Sequence, residues 1–337
     1  MELPDGIVLS CKSFKLDQDE INFFKMIKPL GFVLFKRNFK NKEQIVKLIA
    51  HLKSISMNPR LLIFIDQEGG RVQRLCNKEF TKFPPQKIFG DFYKKNKKLG
   101  LDLAYKSSYL MGYELKKIGI DVDFSPVCDL LIENAHKIIG DRSFGSSPEL
   151  VSDLTKTFCK GLGDSGIIPV PKHFPGHGRS IHDTHLDSSV IAEGLEKLKE
   201  TDLVPYSILN SSSMVMLAHI IYSKIDCKVA TYSSRIINEI LRLEYKFKGL
   251  VLSDDISMKA LDDNLVSKVD KSYAAGCNVI LYCKGDLNEE KLIYPHVKVI
   301  DEKYFDFFYN DLEKKVFKKK NLKKFKGDLL EYNLIKI

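Results

Sequence analysis

Short apolar runs alternate with amphipathic stretches along most of this chain. Residues 61–65 (Leu-Leu-Ile-Phe-Ile) and 249–253 (Gly-Leu-Val-Leu-Ser) lack the polar alternation of a strand with one wet face, which favours strands buried in a parallel sheet. Helical patterns separate such runs in residues 42–54, 99–118 and 149–162. Because no linker interrupts residues 6–284, this rhythm predicts repeated βα units in one α/β domain.

Charged residues follow several of the predicted strands without a spacer. Asp66 and Asp254 each come directly after one of the apolar runs, and the strand-like segment 120–127 leads to a loop that contains Arg142. An Asp at a strand end serves either chemistry or the N-cap of the next helix. We assign chemistry to Asp254 and leave both interpretations open for Asp255.

Histidines crowd one segment, since four of the eight in the chain lie between residues 173 and 185. His173 and His177 are four residues apart, the spacing of a zinc pair on one helix face. Pro175 and Gly176 lie between them, however, and both residues disfavour a helix. The segment is therefore predicted to be a loop, and we expect neither a metal ion nor another cofactor.

The same loop has the residue types of a substrate-binding and proton-transfer site. Lys172 and the histidines offer hydrogen bonds to a polyhydroxylated or anionic substrate. Asp183 stands two residues before His185, where a carboxylate can fix the tautomer of an imidazole and raise its basicity. Ordinary structural hydrogen bonds are the alternative interpretation of these histidines.

Four ordered motifs resemble those of glycoside hydrolase family 3, in its bacterial β-N-acetylhexosaminidase branch. They are Asp-Gln-Glu-Gly-Gly-Arg-Val-Gln-Arg at 66–74, Asp-Arg-Ser-Phe-Gly at 141–145, Lys-His-Phe-Pro-Gly-His-Gly at 172–178 with Asp-Thr-His at 183–185, and Ser-Asp-Asp-Ile-Ser-Met at 253–258. The resemblance covers about residues 6–284 and implies a single (β/α)8 TIM barrel, for which we set the boundaries 1–300.

The resemblance also implies an activity, the removal of terminal β-linked N-acetylglucosamine with retention of configuration. Asp254 would be the nucleophile, His185 the general acid and base, and Asp183 the residue that orients His185. An imidazole, with an ordinary pKa of about 6.5, exchanges protons near neutral pH without a large shift. The residues implied to bind the terminal sugar are Asp66, Arg74, Arg142, Lys172 and His173.

One departure from the family pattern has a structural consequence. The segment that leads into the lysine motif reads Ile-Pro-Val-Pro at 168–171, where the family usually has small residues and cysteine. Two prolines remove two backbone donors from the expected ladder. We therefore predict that this strand is short or irregular.

Two other function classes share the same scaffold. A histidine acid/base would not repel phosphate as a carboxylate does, so a retaining β-N-acetylglucosaminide phosphorylase is one alternative. A non-catalytic sugar-binding barrel is the other, although the joint presence of Asp254, Asp183 and His185 argues against it. The branch further implies peptidoglycan recycling, with N-acetylglucosamine-containing (anhydro)muropeptides as the small-molecule substrate.

Cysteine usage and hydropathy indicate the cellular compartment in which the protein is located. The seven cysteines are odd in number and mostly in apolar contexts, which favours reduced thiols and a cytoplasmic protein. The start of the sequence lacks a basic leader and an apolar stretch, so we predict no signal peptide. No apolar run is long enough for a membrane span, so we expect no stable membrane insertion, and we expect a monomer.

Lysines dominate the C-terminal segment. The formal net charge is +9, and eight lysines lie in residues 314–326, a composition that suggests a nucleic-acid partner. Apolar residues nevertheless recur there at helical spacing, namely Phe305, Phe308, Leu312 and Val316. We therefore predict an amphipathic helix or tail, residues 301–337, packed on the barrel with a solvated lysine face and no nucleic acid. Attraction to anionic cell-wall fragments or membrane lipid is a weaker hypothesis.

Overall fold

Eight parallel strands form one sheet in the computed structural model, which describes residues 2–133, 135, 137–180, 189–314 and 317–336. In chain order the strands are β1 (Asp5–Ser10), β2 (Pro29–Leu34), β3 (Leu62–Ile65), β4 (Val122–Asp123), β5 (Ile168–Pro169), β6 (Met214–Met216), β7 (Leu250–Asp255) and β8 (Val279–Leu281). Successive strands pair from β1 to β5 and from β6 to β8, and β8 pairs with β1. The sheet is thus a nearly closed barrel, in agreement with the predicted α/β barrel.

The two prolines shorten β5 as predicted. The ladder of β5 contains only Ile168 and Pro169, and no strand pairing joins β5 to β6 directly. Hydrogen bonds just beyond the strand cross the gap, because Met216 N donates to Pro171 O at 3.1 Å and Phe174 N donates to Met216 O at 2.8 Å. Backbone contacts of the following loop therefore complete the barrel wall.

Helices cover the outside of the barrel, most of them beginning at a polar N-cap. They are α1 (Gln18–Phe24), α2 (Lys42–Ile55), α3 (Lys87–Lys95), α4 (Lys97–Lys117), α5 (Pro148–Asp164), α6 (Leu195–Glu200), α7 (Leu265–Ala275) and α8 (Leu287–Ile293), with a 3₁₀ helix at Val204–Ser211 and a π-helix at Arg235–Glu244. The side chains of Asn41, Asn96 and Ser147 accept from the third residues of α2, α4 and α5, which satisfies a free backbone donor in each. The helices predicted at 42–54, 99–118 and 149–162 are confirmed.

Two apolar layers separate the inside of the barrel from its outer shell. Alternate residues of the strands, such as Val8, Val33 and Leu252, fill the interior. Their neighbours, such as Leu9, Leu34 and Val251, face the helices in a second and larger cluster. Both faces of the sheet are therefore dry, as the continuous apolar runs predicted.

A ninth helix, α9 (Glu302–Lys314), covers the end of the barrel at which the strands begin. Phe305 and Phe308 are buried in the interior layer together with residues of the strands. The guanidinium of Arg60, just before β3, lies 3.3 Å from the ring centroid of Tyr309. The helix therefore closes the base of the barrel, opposite the C-terminal ends of the strands.

The last helix, α10 (Leu322–Glu331), packs against the outside of α4. The ring of Phe325 meets those of Tyr105 and Tyr109 edge-on, and Leu329 is fully buried. Lys315 and Val316 lie outside the described residues, and the side chain of Lys314 is not described either. The division into a barrel of residues 1–300 and a tail of residues 301–337 stays a proposal.

None of the helices in the described part of the chain is long and apolar enough to span a membrane.

Candidate active site

A polar cavity of about 250 Å³ opens at the C-terminal ends of the strands. Six of the eight residues predicted for the site line it, namely Asp66, Arg74, Arg142, Lys172, His173 and Asp254. The other two, Asp183 and His185, lie outside the described residues. Side chains that are far apart in sequence thus share one cavity, as expected for a barrel whose loops carry its chemistry.

Buried ion pairs connect five charged side chains on one side of the cavity. Lys172 Nζ lies 2.9 Å from Oδ1 of Asp66 and 2.7 Å from Oε1 of Glu68. Arg142 donates to both oxygens of Glu68 at 2.8 Å, and Arg74 Nη2 donates to Oδ2 of Asp66 at 2.9 Å. Each carboxylate therefore bridges two cations, an arrangement that offsets the cost of burying the charges.

The network keeps its members charged. Burial alone would raise the pKa of Glu68, but the charges of Arg142 and Lys172 outweigh it and lower that pKa to about 2. Asp66 behaves alike, since Lys172 and Arg74 hold its pKa below the ordinary value in spite of burial. Burial would lower the pKa of Lys172, yet the two carboxylates raise it. Fixed charges therefore surround any ligand here.

The hairpin after β3 sets the positions of these carboxylates. Its arms, Gln67–Gly69 and Val72–Gln73, pair antiparallel. Gly69 and Gly70 have φ of 91° and 57°, and a Cβ on Gly69 would lie 2.3 Å from the carbonyl oxygen of Pro84. A larger residue would therefore be strained at this turn. Arg71 donates to carbonyl oxygens of residues 137–139, which ties the hairpin to the loop that carries Arg142.

Asp254 lies near the end of β7, and its carboxylate faces the cavity wall formed by the histidines. Burial would raise its pKa, but the rings of His173 and His219 hold that pKa below its ordinary value. Its Oδ1 accepts from the backbone N–H of Asp255 at 2.8 Å. The side chain is therefore a partly buried, ionised carboxylate in the position where a nucleophile is expected.

The neighbouring Asp255 has a structural role. Its carboxylate accepts from Ser257 N at 2.9 Å, from Ser257 Oγ at 2.7 Å and from Cys283 N at 3.1 Å. These bonds stabilise a turn after β7 and connect it to β8. The N-cap interpretation was wrong, because the next helix begins only at Leu265.

A second buried carboxylate, Asp129, organises the histidine loop. His173 Nδ1 lies 2.7 Å from its Oδ2, and the backbone N–H groups of His173 and His177 donate to its Oδ1 at 3.2 and 2.7 Å. The rings of His173 and His177 meet edge-on at 5.4 Å. Residues 173–177 form no helix, so the predicted loop is confirmed, and no three His, Cys, Asp or Glu side chains of the described residues converge on a possible metal position.

The described residues on either side of 181–188 are joined to each other. Ser180 Oγ donates to Ser189 Oγ at 2.8 Å, and Arg179 Nε donates to the buried Asp202 at 2.8 Å. Asp183 and His185 belong to the segment between these two serines, which lies outside the described residues. Gly176 and Gly178, together with the need to bring His185 to the substrate, favour a mobile loop over residues 174–186. This stays a prediction, because residues 181–186 lie outside those described.

Sequence reasoning missed two carboxylates of the site. Glu68 lies inside the motif 66–74. Its partner Arg142 is 74 positions away in the sequence. Asp129 follows the strand-like segment 120–127 and is 44 positions from His173. The available signal was the same for both, a carboxylate just beyond a predicted strand.

Comparison with protein families gives a match over most of the chain. The Glycosyl hydrolase family 3 N terminal domain matches residues 8–304. A beta-hexosaminidase of Stenotrophomonas maltophilia is 38% identical over 266 residues, 78% of each chain. A beta-hexosaminidase of Nitrosomonas eutropha is 36% identical over 267 residues, 78% of this chain and 76% of that protein.

Solved structures give the same picture. Native NagZ from Neisseria gonorrhoeae superimposes with a TM-score of 0.87 at 30% identity, covering 98% of both chains. NagZ from the same organism in complex with N-trifluoroacetyl-D-glucosamine has a TM-score of 0.85 at 31% identity, covering 97% of this chain and 94% of that one. The beta-N-acetylglucosaminidase from Thermotoga maritima has a TM-score of 0.75 at 28% identity, covering 95% of this chain and 68% of that one.

Proposed function

This chain belongs to glycoside hydrolase family 3, and from that membership we propose that it is a retaining exo-β-N-acetylglucosaminidase. It is a glycoside hydrolase, and its beta-hexosaminidase relatives support removal of N-acetylglucosamine. The observation that carries the mechanism is the partly buried, ionised Asp254 at the end of β7, in a cavity lined by charged side chains. A carboxylate kept charged in this position is suited to attack a sugar carbon.

The proposed reaction has two steps. Asp254 attacks the anomeric carbon while His185 gives its proton to the leaving oxygen, so that the glycosidic bond breaks and an ester to Asp254 forms. His185 then removes a proton from water, and that water displaces Asp254 from the same carbon. Two inversions give net retention, and Asp183 keeps the imidazole of His185 oriented through both steps.

The sugar would be held by the charged network. We assign contacts with its hydroxyl and acetamido groups to Asp66, Arg74, Arg142, Lys172 and His173. Asp66 pairs with Arg74 and Lys172, while Arg142 and His173 are held by the carboxylates of Glu68 and Asp129. These contacts fix the five groups before the substrate arrives, so little ordering remains to be done on binding. The family relative solved with N-trifluoroacetyl-D-glucosamine supports a sugar of this type as the ligand.

The proposal extends to the natural substrate. The resemblance to enzymes of peptidoglycan recycling supports N-acetylglucosamine-containing (anhydro)muropeptides as substrate and a cytoplasmic location. We also expect a monomer. Phe35, Val72, Ile138 and Met258 supply apolar surface in the cavity, against which we propose that the aglycone packs.

Hydrolysis of a chromogenic β-N-acetylglucosaminide tests the proposal. Wild type should release the chromophore from this substrate and not from the β-glucoside, equally with and without phosphate. Asp254→Asn should lower kcat on the order of 10⁴-fold, because the amide cannot form the glycosyl ester. Asp102→Asn, which changes an acid that is half exposed on α4, is the control and should keep full activity.

Other outcomes would support one of the alternative functions or refute the role of Asp254. Phosphate-dependent turnover would indicate the phosphorylase. No turnover of either sugar by the wild type would favour the sugar-binding barrel, and full turnover by Asp254→Asn would refute the nucleophile.

A further inference from the structure

Asp129 lies behind the cavity wall and contacts the cavity only through other residues. Its side chain is 0% exposed and it is absent from the cavity lining, whereas His173 lines the cavity. One carboxylate oxygen takes the two backbone N–H groups of the loop, and the other takes the ring of His173. A single side chain thus fixes both the path of the loop and the angle of the ring.

The contact also decides which ring nitrogen carries hydrogen. Burial would raise the pKa of Asp129, but the His173 ring and the bonds from the loop hold it below the ordinary value, so the group is a carboxylate. A carboxylate only accepts, and at 2.7 Å it requires a hydrogen on His173 Nδ1. Among the described residues, Nε2 is then the ring nitrogen left for a ligand.

The neighbouring histidine does not compete for this role. Burial lowers the pKa of His177 to about 4, so its ring is neutral at physiological pH. It binds Asp129 through its backbone N–H, and its ring packs edge-on against that of His173. Asp129 therefore holds the ring of His173 but only the backbone N–H of His177.

We propose that Asp129 is a positioning residue, which holds the Nδ1–H of His173 and so presents Nε2 to the sugar in one fixed tautomer and orientation. The inference rests on the proposed function, because it takes His173 to be a sugar ligand. Asp129 touches no substrate atom and acts only through His173 and the loop.

The test is a double-mutant cycle of kcat and KM on the chromogenic substrate. In Asp129→Asn, the amide oxygen can still accept from the loop while its NH₂ group turns to Nδ1, which forces the opposite tautomer on the ring. This variant should lose about 10- to 100-fold in kcat/KM, the range found for outer partners of functional histidines.

The double variant distinguishes positioning from a general structural effect. If Asp129 acts through His173, Asp129→Asn should cost almost nothing more when added to His173→Ala. Losses that multiply in the double variant would overturn the proposal. Asp164→Asn is the control, since Asp164 is also buried, at 6% exposure, and ion-paired, but it lies at the end of α5 and does not line the cavity.

A measurement on the wild type keeps the test independent of variant folding. Nitrogen NMR of histidine-labelled protein, with the His173 signals assigned by their loss in His173→Gln, should show hydrogen on Nδ1. An Nε2–H tautomer with bare Nδ1 would overturn the proposal. Failure of the wild type to cleave any N-acetylglucosaminide would instead refute the proposed function and leave the tautomer result standing.

Discussion

Glu68 shows how strongly one side chain can determine the charge balance of this cavity. Its carboxylate contacts Lys172 and Arg142 together, and all three side chains are almost entirely buried. If Glu68 lost its charge, Lys172 would share only Asp66 with Arg74, and Arg142 would keep no carboxylate partner among the described residues. Removing one partner of a buried ion pair destabilises a protein more than replacing the whole pair by apolar residues, because an unpaired charge stays buried.

We predict that Glu68→Gln lowers the free energy of unfolding at neutral pH by about 3–5 kcal/mol. The folded pKa of about 2 lies below the unfolded value of about 4.3, so the contribution is complete above pH 4.3 and disappears as pH falls through 2. Denaturant unfolding across this range should give curves that converge in acid. Glu149→Gln, at a side chain that is 79% exposed, should stay within about 0.5 kcal/mol at every pH.

Curves for Glu68→Gln and wild type that stay parallel down to pH 2 would contradict a charge-based role. Such a result would assign the loss to packing alone.

At the scale of single residues, the sequence predicted which side chains line the cavity but not which of them pair with each other. The order of motifs was enough to predict Asp66, Arg142, Lys172 and Asp254, which indeed line one cavity. It could not show that Glu68 bridges two of them, because the bridging side chains come from three separate loops. Asp129 was missed for the same reason, since its partner is supplied by a loop after another strand.

At the scale of elements, the segment after α10 is linked through residues 81–83 to the hairpin 67–73 that follows β3. Lys336 and Lys82 exchange two backbone hydrogen bonds, at 3.0 and 3.2 Å. The residues on either side of Lys82 bond to the hairpin, because Gly70 N donates to Phe83 O at 2.9 Å and Gln73 bonds to Thr81 and Phe83. The segment 81–83 therefore connects the tail to the hairpin that carries Glu68 and Arg74.

Two adjacent leucines of α10 test whether this tail is part of the folded core. Leu329 is 0% exposed and Leu330 is 44% exposed. Leu329→Ala should destabilise the protein by about 2–5 kcal/mol, because it removes buried methyl groups and leaves a cavity. Leu330→Ala should change stability by no more than about 0.5 kcal/mol in the same thermal or denaturant melts.

Equal, small effects of the two changes would mean that α10 is held only loosely. In that case the contacts of Lys336 with Lys82 could not support the hairpin.

Element by element, periodicity was a good guide where local signals agreed. The helix predicted at 42–54 begins at the Asn41 cap, and the prolines after Ile168 shorten β5 as their missing donors require. The segment 120–127 was less well predicted, because only Val122–Asp123 joins the ladder. Pairing partners determine where a strand ends, and these are not visible in the local pattern.

On the scale of the whole molecule, α9 closes the barrel interior at the end where the strands begin. Phe308 is 1% exposed and lies in the same layer as the strand residues, whereas Phe317 is 45% exposed and lies beyond the helix. Phe308→Ala should lower the free energy of unfolding by about 3–5 kcal/mol. Phe317→Ala, the control of the same residue type, should cost less than about 1 kcal/mol in the same experiment.

A similar cost for both phenylalanines would show that burial of α9 in the base is not what stabilises it. The described lysines just after α9, Lys318, Lys319 and Lys320, are exposed and cannot supply this effect.

The position of α9 after all eight strands has a consequence for synthesis on the ribosome. The whole barrel wall is made before the helix that covers its base, so the nascent protein presents an uncovered apolar floor until residues 305 and 308 emerge. During that interval a chaperone can bind the floor, and a second nascent chain can aggregate through it. Slow translation between β8 and α9 would therefore lower the yield of soluble enzyme even though no residue of the catalytic cavity is affected.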